Sequence, residues 1–334
     1  MNDKFYMQLA LDKAWEYQGL TYPNPAVGAV VTFDGKILAI EAHQKAGTSH
    51  AEVLTLLSAY ETLKRSKIDF DPRDAKKAHD FLLDLPKNFF SECSIYVTLE
   101  PCSHQGKTPS CASLLQTLNL KEVIVGTLDP IVGHDKGAQS LENVRQGVLE
   151  EACKDLLEPF IIWQKRAFVL FKIAQTTNGR IASSKNDGYL SSQTSLAHVH
   201  ALREVCDTLC IGGNTVRVDR PTLDCRFTHA PAPDVKIYAK EDNFDRDIPL
   251  FAIENREVEI VGDLNFLEKP SFVLVEGGEG MLEALKDKID WMLIYQTPKL
   301  STNTLTYNST MNLTFLHQDK KDIDLMIWSR NSGH

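Results

Sequence analysis

The sequence predicts an α/β protein with two domains in series. Three observations support this fold class: strand patterns alternate with amphipathic helix patterns in both halves, the chain has 334 residues, and 43% of them are apolar, an ordinary value. A single domain usually has about 100 to 200 residues, so this length suits two domains, each with its own core. We place the first domain at residues 1–160 and the second at residues 166–334.

The first half begins with a helix and a hairpin and then alternates helices with strands. Asp34-Gly35 is a typical two-residue hairpin turn, and Val53, Leu56 and Leu57 recur at helical spacing. Strands separated by helices predict parallel pairing beyond the hairpin, while the charged, irregular residues 64–92 predict an insertion with one short helix. Strand patterns occupy residues 27–33, 36–42, 94–101 and 122–130, and helix patterns occupy 1–17, 50–63, 111–120, 137–148 and 150–166.

The second half repeats this alternation with a larger set of strands, and no internal repeat relates it to the first half. Strand patterns occupy residues 167–175, 208–213, 235–240, 258–262, 271–278, 291–298, 312–316 and 324–328. Helix patterns occupy residues 194–206 and 280–288. The two halves are therefore expected to be two different α/β domains.

Composition and charge exclude several classes of protein. The net charge of −9 argues against a duplex nucleic-acid partner, because phosphate contacts require a dense basic surface. No window approaches the roughly 20 apolar residues of a membrane span, and the N-terminal residues do not have the pattern of a secretory signal. Seven scattered cysteines are an odd number and do not form a disulfide framework. We expect a soluble protein of the reducing cytoplasm.

A histidine, a glutamate and two cysteines form the strongest functional pattern. His50 and Glu52 begin one predicted helix, and Cys102 and Cys111 bracket the start of another, so one imidazole and two thiolates can converge. Three protein ligands leave the fourth tetrahedral position of zinc for water, which is the catalytic arrangement. A glutamate beside the metal can move a proton between that water and a departing amine. A lone histidine or cysteine is more often a core residue, but the joint pattern favours zinc catalysis.

The spacing of these residues resembles that of zinc-dependent nucleotide deaminases, which have His-x-Glu followed by Pro-Cys and a later cysteine. Eight residues separate Cys102 from Cys111, where the general deaminase pattern has two. The stretch "PCSHQGKTPSC", together with "TYPNPAVG" and "AHQKAGTSHAE", is similar to the bifunctional riboflavin-biosynthesis deaminase/reductase family. The resemblance implies a cytidine-deaminase-like α/β/α domain followed by a dihydrofolate-reductase-like α/β domain.

The resemblance also implies roles for residues of the first domain. His50, Cys102 and Cys111 would bind Zn²⁺, and Glu52 would be the catalytic residue. Asn24 and His43 would contact the pyrimidine or line its pocket, although Asn24, between two prolines, is also a turn-former. The loop that carries His104 and Lys107 would cover the phosphoribosyl group, and Lys107 would contact it. A solvated loop charge is the alternative at that position.

In the second domain, "FKIAQTTNGRIA" and residues 195–226 are similar to the reductase half of the family. The resemblance implies NADPH as cofactor and a phosphorylated sugar as substrate, which arginine binds well through its guanidinium fork. Two positions depart from the family pattern: Asn178 stands where an aspartate is usual, and Arg220 reverses a charge. The implied cofactor-binding residues are Ala174, Thr215, Asp219, Gly277 and Gly278, and the implied substrate-binding residues are Lys172, Arg203, Leu223, Arg226 and Glu276.

The resemblance implies a bifunctional enzyme that acts on a small phosphoribosylaminopyrimidine, first as deaminase and then as reductase. Three alternatives are a deaminase with a non-reducing second domain, a nucleic-acid base deaminase, and a zinc-stabilised binding module without catalysis. A homodimer is expected only because most soluble oligomers are homodimers.

Overall fold

The computed structural model describes residues 2–103, 109–131, 137–181, 189–228 and 230–333. The chain divides into two compact units, Met1–Ile161 and Ile162–His334. No helix of the described residues is long and apolar enough to cross a membrane.

The first unit contains one five-stranded sheet, whose strand order is β2-β1-β3-β4-β5. β1 pairs antiparallel with both β2 and β3, whereas β3, β4 and β5 are parallel neighbours. The strands are β1 Gly28–Phe33, β2 Lys36–Ala42, β3 Cys93–Leu99, β4 Glu122–Thr127 and β5 Val144–Gln146. The helices are α1 Asp3–Trp15, α2 Ala51–Lys64, α3 Ala75–Leu83, α4 Cys111–Leu118 and α5 Glu150–Trp163.

The hairpin positions both ligand-bearing helices. Asp34 and Gly35 have φ angles of 46° and 71°, as the tight turn between β1 and β2 requires. From β2 the chain crosses through α2 to β3, so β2 and β3 run parallel on either side of β1. The expectation of parallel pairing beyond the hairpin is therefore wrong for β1 with β3 and confirmed for β3 with β4.

The helix predicted over residues 137–148 is wrong. The structure has a short 3-10 turn at Ala138–Ser140 and then strand β5, which pairs parallel to β4. Gly147, with a φ of 84°, follows the strand. Hydrogen bonding to an available sheet edge outweighs the weak local helical preference of this polar stretch.

The core of the first unit lies between the sheet and the helices that carry the metal-ligand candidates. Its fully buried residues include Leu56 of α2, Ile95 of β3 and Leu114 of α4. The predicted insertion at 64–92 contains one short helix, α3, as expected, and its Leu82 and Phe90 are buried in the same core. The segment is thus part of the packed domain.

The second unit contains an eight-stranded sheet with the order β12-β13-β11-β6-β10-β7-β8-β9. The six strands from β6 through β11 pair only in parallel with one another. On one side of the sheet, β13 pairs antiparallel with β11, and β12 pairs antiparallel with β13. The strands are β6 Ala167–Thr176, β7 Thr208–Gly212, β8 Asp234–Tyr238, β9 Val258–Val261, β10 Ser271–Glu276, β11 Trp291–Thr297, β12 Leu313–Lys321 and β13 Asp324–Asn331. The helices are α6 Gln193–Val205, α7 Gly213–Asp219, α8 Pro249–Ala252 and α9 Glu279–Leu285.

Gly28 allows α1 to pack directly on β1, which generates a stability prediction. A Cβ atom at position 28 would lie 1.9 Å from the backbone oxygen of Ala10. Gly28→Ala should lower the free energy of unfolding by about 1–3 kcal/mol or more, because the helix must move away from the strand. Gly280→Ala is the control, since nothing lies within 4 Å of its Cβ position. Equal thermal unfolding of the two variants would contradict the prediction.

Candidate functional site

His50, Cys102 and Cys111 come together in the first unit. His50 is the extended N-cap residue of α2, Cys102 lies in the loop after β3, and Cys111 is the first residue of α4. The His50 Nδ1 atom lies 3.6 Å from the Cys102 Sγ atom and 3.4 Å from the Cys111 Sγ atom. The three ligand atoms all lie within 4.8 Å of one another.

These distances fit a tetrahedral zinc ion. With Zn–S bonds of about 2.3 Å and Zn–N bonds of about 2.0–2.1 Å, the nitrogen–sulfur edge of a tetrahedron is about 3.5 Å. Both measured nitrogen–sulfur distances agree with that value. Among the residues that the structure describes, no other group of three metal-binding side chains converges in this way.

The two thiols interact directly. A hydrogen bond from Cys111 lowers the pKa of Cys102 to about 4, and the nearby imidazole of His50 adds to this effect. The backbone N–H of Cys111 also donates to the Cys102 Sγ atom at 3.3 Å. The same sharing raises the pKa of the buried Cys111 thiol. The pair therefore contains one thiolate, at Cys102. A bound divalent cation would favour deprotonation of the Cys111 thiol as well.

Glu52 lies beside this cluster in the first turn of α2. Its side chain is only 4% exposed, and burial raises its pKa to about 7. Hydrogen bonding with the Cys111 thiol acts in the opposite direction, so the carboxyl group interacts with one of the ligand candidates. A carboxyl group in this position can accept or donate a proton at a reacting atom.

His43 and Asn24 form a second polar pair close to His50. The ring of His43 packs edge-on against the ring of His50, with centroids 5.3 Å apart. Since the Ser49 carbonyl can only accept, His43 Nδ1 donates to it at 3.1 Å, and His43 Nε2 accepts from the Asn24 amide at 3.1 Å. Burial lowers the pKa of His43 to about 4, so this imidazole is neutral and fixes the orientation of Asn24.

Sequence reasoning missed the residue that holds the loop before Cys102. The two carboxylate oxygens of Glu100 accept hydrogen bonds from the backbone N–H groups of Ala138 and Asp129, at 2.7 and 3.0 Å. A Cβ atom at Gly137 would lie 1.7 Å from the Pro101 oxygen, so only glycine fits there. The one signal in the sequence is an acidic residue at the end of an otherwise apolar strand.

Lys107, which the resemblance assigns to the substrate, and His104 on the same loop lie outside the described residues.

In the second unit, Lys172, Arg203 and Glu276 come together. Strand register places Glu276 of β10 beside Lys172 of β6. The Glu276 carboxylate contacts Lys172 Nζ at 2.8 Å and Arg203 Nε at 2.7 Å. Burial opposes ionisation of Glu276, but Arg203 and Lys172 outweigh it and hold the pKa of this carboxyl group well below its ordinary value.

Two arginines hold the loop that carries Leu223. Arg203 Nη1 donates to the Asp224 carbonyl at 3.2 Å, and Arg256 donates to the Leu223 and Thr222 carbonyls at 2.9 and 3.0 Å. Leu223 is buried and has a positive φ of 56°. Arg256 was missed because its role depends on backbone carbonyls that only the fold brings together. Arg226, by contrast, is exposed and pairs with the Asp224 side chain at 2.8 Å.

The candidate cofactor residues lie around the same end of the sheet. Ala174 is two residues beyond Lys172 on β6, and Gly277 and Gly278 connect β10 to α9. Thr215 lies in α7, which follows β7, and Asp219 is the last residue of that helix. Because β10 lies between β6 and β7, these positions share the carboxyl edge of three neighbouring strands, the usual place for ligands in α/β folds.

The two departures from the family pattern are accommodated locally. The Asn178 amide oxygen accepts from Thr176 Oγ1 at 2.7 Å and from the Ser301 backbone N–H at 3.1 Å, and its nitrogen donates to the Ser301 carbonyl at 2.9 Å. Arg220 is exposed and pairs with Asp245 at 2.6 Å. Asn178 therefore closes its turn without a charge.

An imidazole, two thiols and a buried glutamate at helix N-termini define the zinc deaminases, here joined to a second α/β unit. Residues 1–127 match the model of the cytidine and deoxycytidylate deaminase zinc-binding region, and residues 167–306 match the RibD C-terminal domain. The chain belongs to the family of the riboflavin biosynthesis protein RibD, which consists of bifunctional deaminases and reductases. The predicted fold class and resemblance are confirmed, and so are the enzyme class and the use of zinc and NADPH.

Individual relatives show the extent of the likeness. The chain is 34% identical over 294 residues to RibD of Aquifex aeolicus, covering 86% of this chain and 72% of that protein. It is 34% identical over 233 residues to RibD of Synechocystis sp., covering 67% of this chain and 55% of that protein. It is similar to the crystal structure of a diaminohydroxyphosphoribosylaminopyrimidine deaminase/5-amino-6-(5-phosphoribosylamino)uracil reductase from Thermotoga maritima, with 26% identity, 98% of each chain covered and a TM-score of 0.64.

The zinc ligands can be tested by metal content. Cys102→Ala and Cys111→Ala should each lose bound zinc, because two remaining ligands hold the ion far more weakly than three. Cys93→Ala is the matched control, since Cys93 is a buried core thiol of the same unit whose pKa burial raises to about 11. Elemental analysis of the purified proteins measures the outcome. Zinc retention by both ligand variants would rule out this site.

The ion cluster of the second unit predicts a pH-dependent stability. Glu276→Gln leaves two cations without their shared anion and should cost about 3–5 kcal/mol near neutral pH. Because folding lowers the pKa of Glu276, its contribution is fully present above the unfolded-state pKa of about 4.3. It declines progressively as the pH falls from that value toward the much lower folded-state pKa. Denaturant unfolding from pH 7 to pH 3 should therefore show the difference from wild type shrinking. A constant difference would contradict the prediction.

Proposed function

We propose that the first unit hydrolyses the 2-amino group of 2,5-diamino-6-(5-phosphoribosylamino)pyrimidin-4-one and that the second unit reduces the ribosyl group of the product to ribityl with NADPH. The observation that carries this proposal is the convergence of His50, Cys102 and Cys111 beside buried Glu52. The Thermotoga maritima relative, whose structure is similar along 98% of this chain, has this deaminase and reductase pair in its name.

In the deaminase reaction, His50, Cys102 and Cys111 would hold the metal. When bound, zinc supplies the Lewis acidity that lowers the pKa of water from about 15.7 to about 7. Glu52 accepts a proton from the attacking water and returns it to the departing amino group, and its burial keeps this proton from solvent. Asn24, oriented by neutral His43, hydrogen-bonds the pyrimidine edge. Lys107 neutralises the phosphate, as the resemblance implies.

In the reductase reaction, the ionised Glu276 and Lys172 hydrogen-bond the hydroxyl groups of the ribose. When bound, NADPH supplies the hydride, and Ala174, Thr215, Asp219, Gly277 and Gly278 line its site. Arg203 directs its Nε and Nη1 atoms to Glu276 and to the Asp224 carbonyl, so it positions these groups beside the sugar. Arg226 is exposed and is therefore better placed than the buried Arg203 to bind the substrate phosphate. Leu223, on the same loop, would also contact the substrate.

The two reactions follow one another on a single phosphorylated intermediate, which explains why both units share one chain. We propose that the enzyme works in the cytoplasm as a homodimer. Analytical ultracentrifugation tests the dimer, and a sedimenting monomer at micromolar concentration would contradict it.

A coupled assay tests the function. Purified protein given the diaminopyrimidine phosphate should release one equivalent of ammonia without NADPH, and should then oxidise one equivalent of NADPH when it is added. Absence of ammonia would eliminate the deaminase proposal. Ammonia without NADPH oxidation would leave a deaminase with a non-reducing second unit.

Glu52→Gln tests the proton transfer within the same assay. The amide cannot carry the proton, so ammonia release should fall by about 10²–10⁴-fold. Zinc content should stay equal to that of the wild type, because Glu52 is not one of the three ligands. Reduction of substrate that has already been deaminated provides the internal control and should be unchanged. Wild-type ammonia release by this variant would show that Glu52 does not carry the proton.

A further inference from the structure

Residues 68–85 form a segment of the first unit that the proposed chemistry does not use. The segment runs from Ile68 through helix α3 to Leu85 and lies within the insertion that the sequence predicts. Its polar groups contact the two residues that immediately precede zinc-ligand candidates, Ser49 and Ser110.

The first contact is with Ser49, the residue before His50. The Ser49 hydroxyl donates to the Pro72 carbonyl at 2.6 Å, and the Ser49 backbone N–H donates to the Arg73 carbonyl at 3.2 Å. Ser49 is 1% exposed, and its own carbonyl accepts the hydrogen bond from His43. The segment therefore fixes the backbone from which His50 projects and, through Ser49, the orientation of His43.

The second contact is with Ser110, the residue before Cys111. His79 of α3 is buried, which lowers the pKa of its imidazole, and hydrogen bonding with the Ser110 backbone opposes that shift. Its Nε2 atom has no hydrogen-bond partner among the described residues. The Ser110 hydroxyl in turn donates to the Cys102 carbonyl at 2.9 Å. One imidazole thus holds the backbone next to both cysteines.

Aromatic and aliphatic packing keeps the segment in place. Ala78 and Leu82 of α3 are fully buried in the core of the unit. The Phe81 ring packs against Tyr60 of α2, with centroids 4.9 Å apart, and against Phe70 at 5.4 Å. The helix that carries His79 is therefore anchored to α2, the helix that follows His50.

We propose that residues 68–85 support the zinc site from outside the ligand set and that His79 is a positioning residue for the two cysteines. This inference rests on the proposed zinc function. Partners that orient metal ligands typically contribute 10–100-fold in metal affinity or activity, because a misplaced ligand binds more weakly. His79 and Ser49 are expected to act at this level, through the residues that they hydrogen-bond.

The test compares His79→Ala with His79→Asn, because the Asn amide can replace the imidazole as the hydrogen-bonding partner of the Ser110 backbone. Ser49→Ala removes the bond to Pro72, and Lys77→Ala on the exposed face of α3 is the matched control. The first measurement is the rate at which each full-length, zinc-loaded protein transfers zinc to a chromogenic chelator at a temperature far below unfolding. The second is the visible spectrum after substitution with Co²⁺, which reports the geometry of the two thiolates.

We expect His79→Ala to release zinc about 10–100-fold faster than wild type and to alter the cobalt spectrum. Ser49→Ala should also release zinc faster, His79→Asn should recover most of the loss, and Lys77→Ala should behave as wild type. Wild-type release by His79→Ala would overturn the inference, even if its thermal stability fell, because a merely structural role changes only stability. A wild-type protein without zinc would instead contradict the proposed function itself.

Discussion

The structure depends on holding one nitrogen and two sulfur atoms at three corners of one tetrahedron. The first unit achieves this by starting two helices next to each other, α2 after His50 and α4 at Cys111. The arrangement requires β1 to lie between β2 and β3, since that order determines where both helices begin. Helix N-termini stabilise thiolates through their free N–H groups, as the Cys111 N–H does for Cys102. Fold and electrostatics thus act on the same atoms.

In the second unit, the main constraint is different: a buried carboxylate, that of Glu276, stays ionised. Glu276 is 9% exposed and would be neutral in an apolar site, but Lys172 and Arg203 surround it. The parallel register of β6 and β10 places the lysine, and α6 supplies the arginine. A charged cluster of this kind is costly to desolvate, and its position at the carboxyl edge of the sheet is consistent with a role in substrate binding.

The sequence predicted the candidate zinc ligands that the structure brings together, because residue type and spacing both carry information there. His50, Glu52, Cys102 and Cys111 begin or bracket helices, and helix starts are readable from local patterns. The helix predicted over residues 137–148 failed because strand β5 exists only when β4 offers an edge. Glu100, Ser49 and Arg256 were not predictable, since each acts on backbone groups that are distant in sequence. Asn178 could be noticed as a departure, but its turn-closing bonds with Ser301 required the fold.

X-ray absorption at the zinc edge of the purified protein tests the central claim most directly. The account predicts one zinc per chain with two sulfur ligands at about 2.3 Å and two nitrogen or oxygen ligands at about 2.0–2.1 Å, one of them from solvent. A first shell without sulfur, or one closed by four protein sulfur and nitrogen ligands, would contradict it.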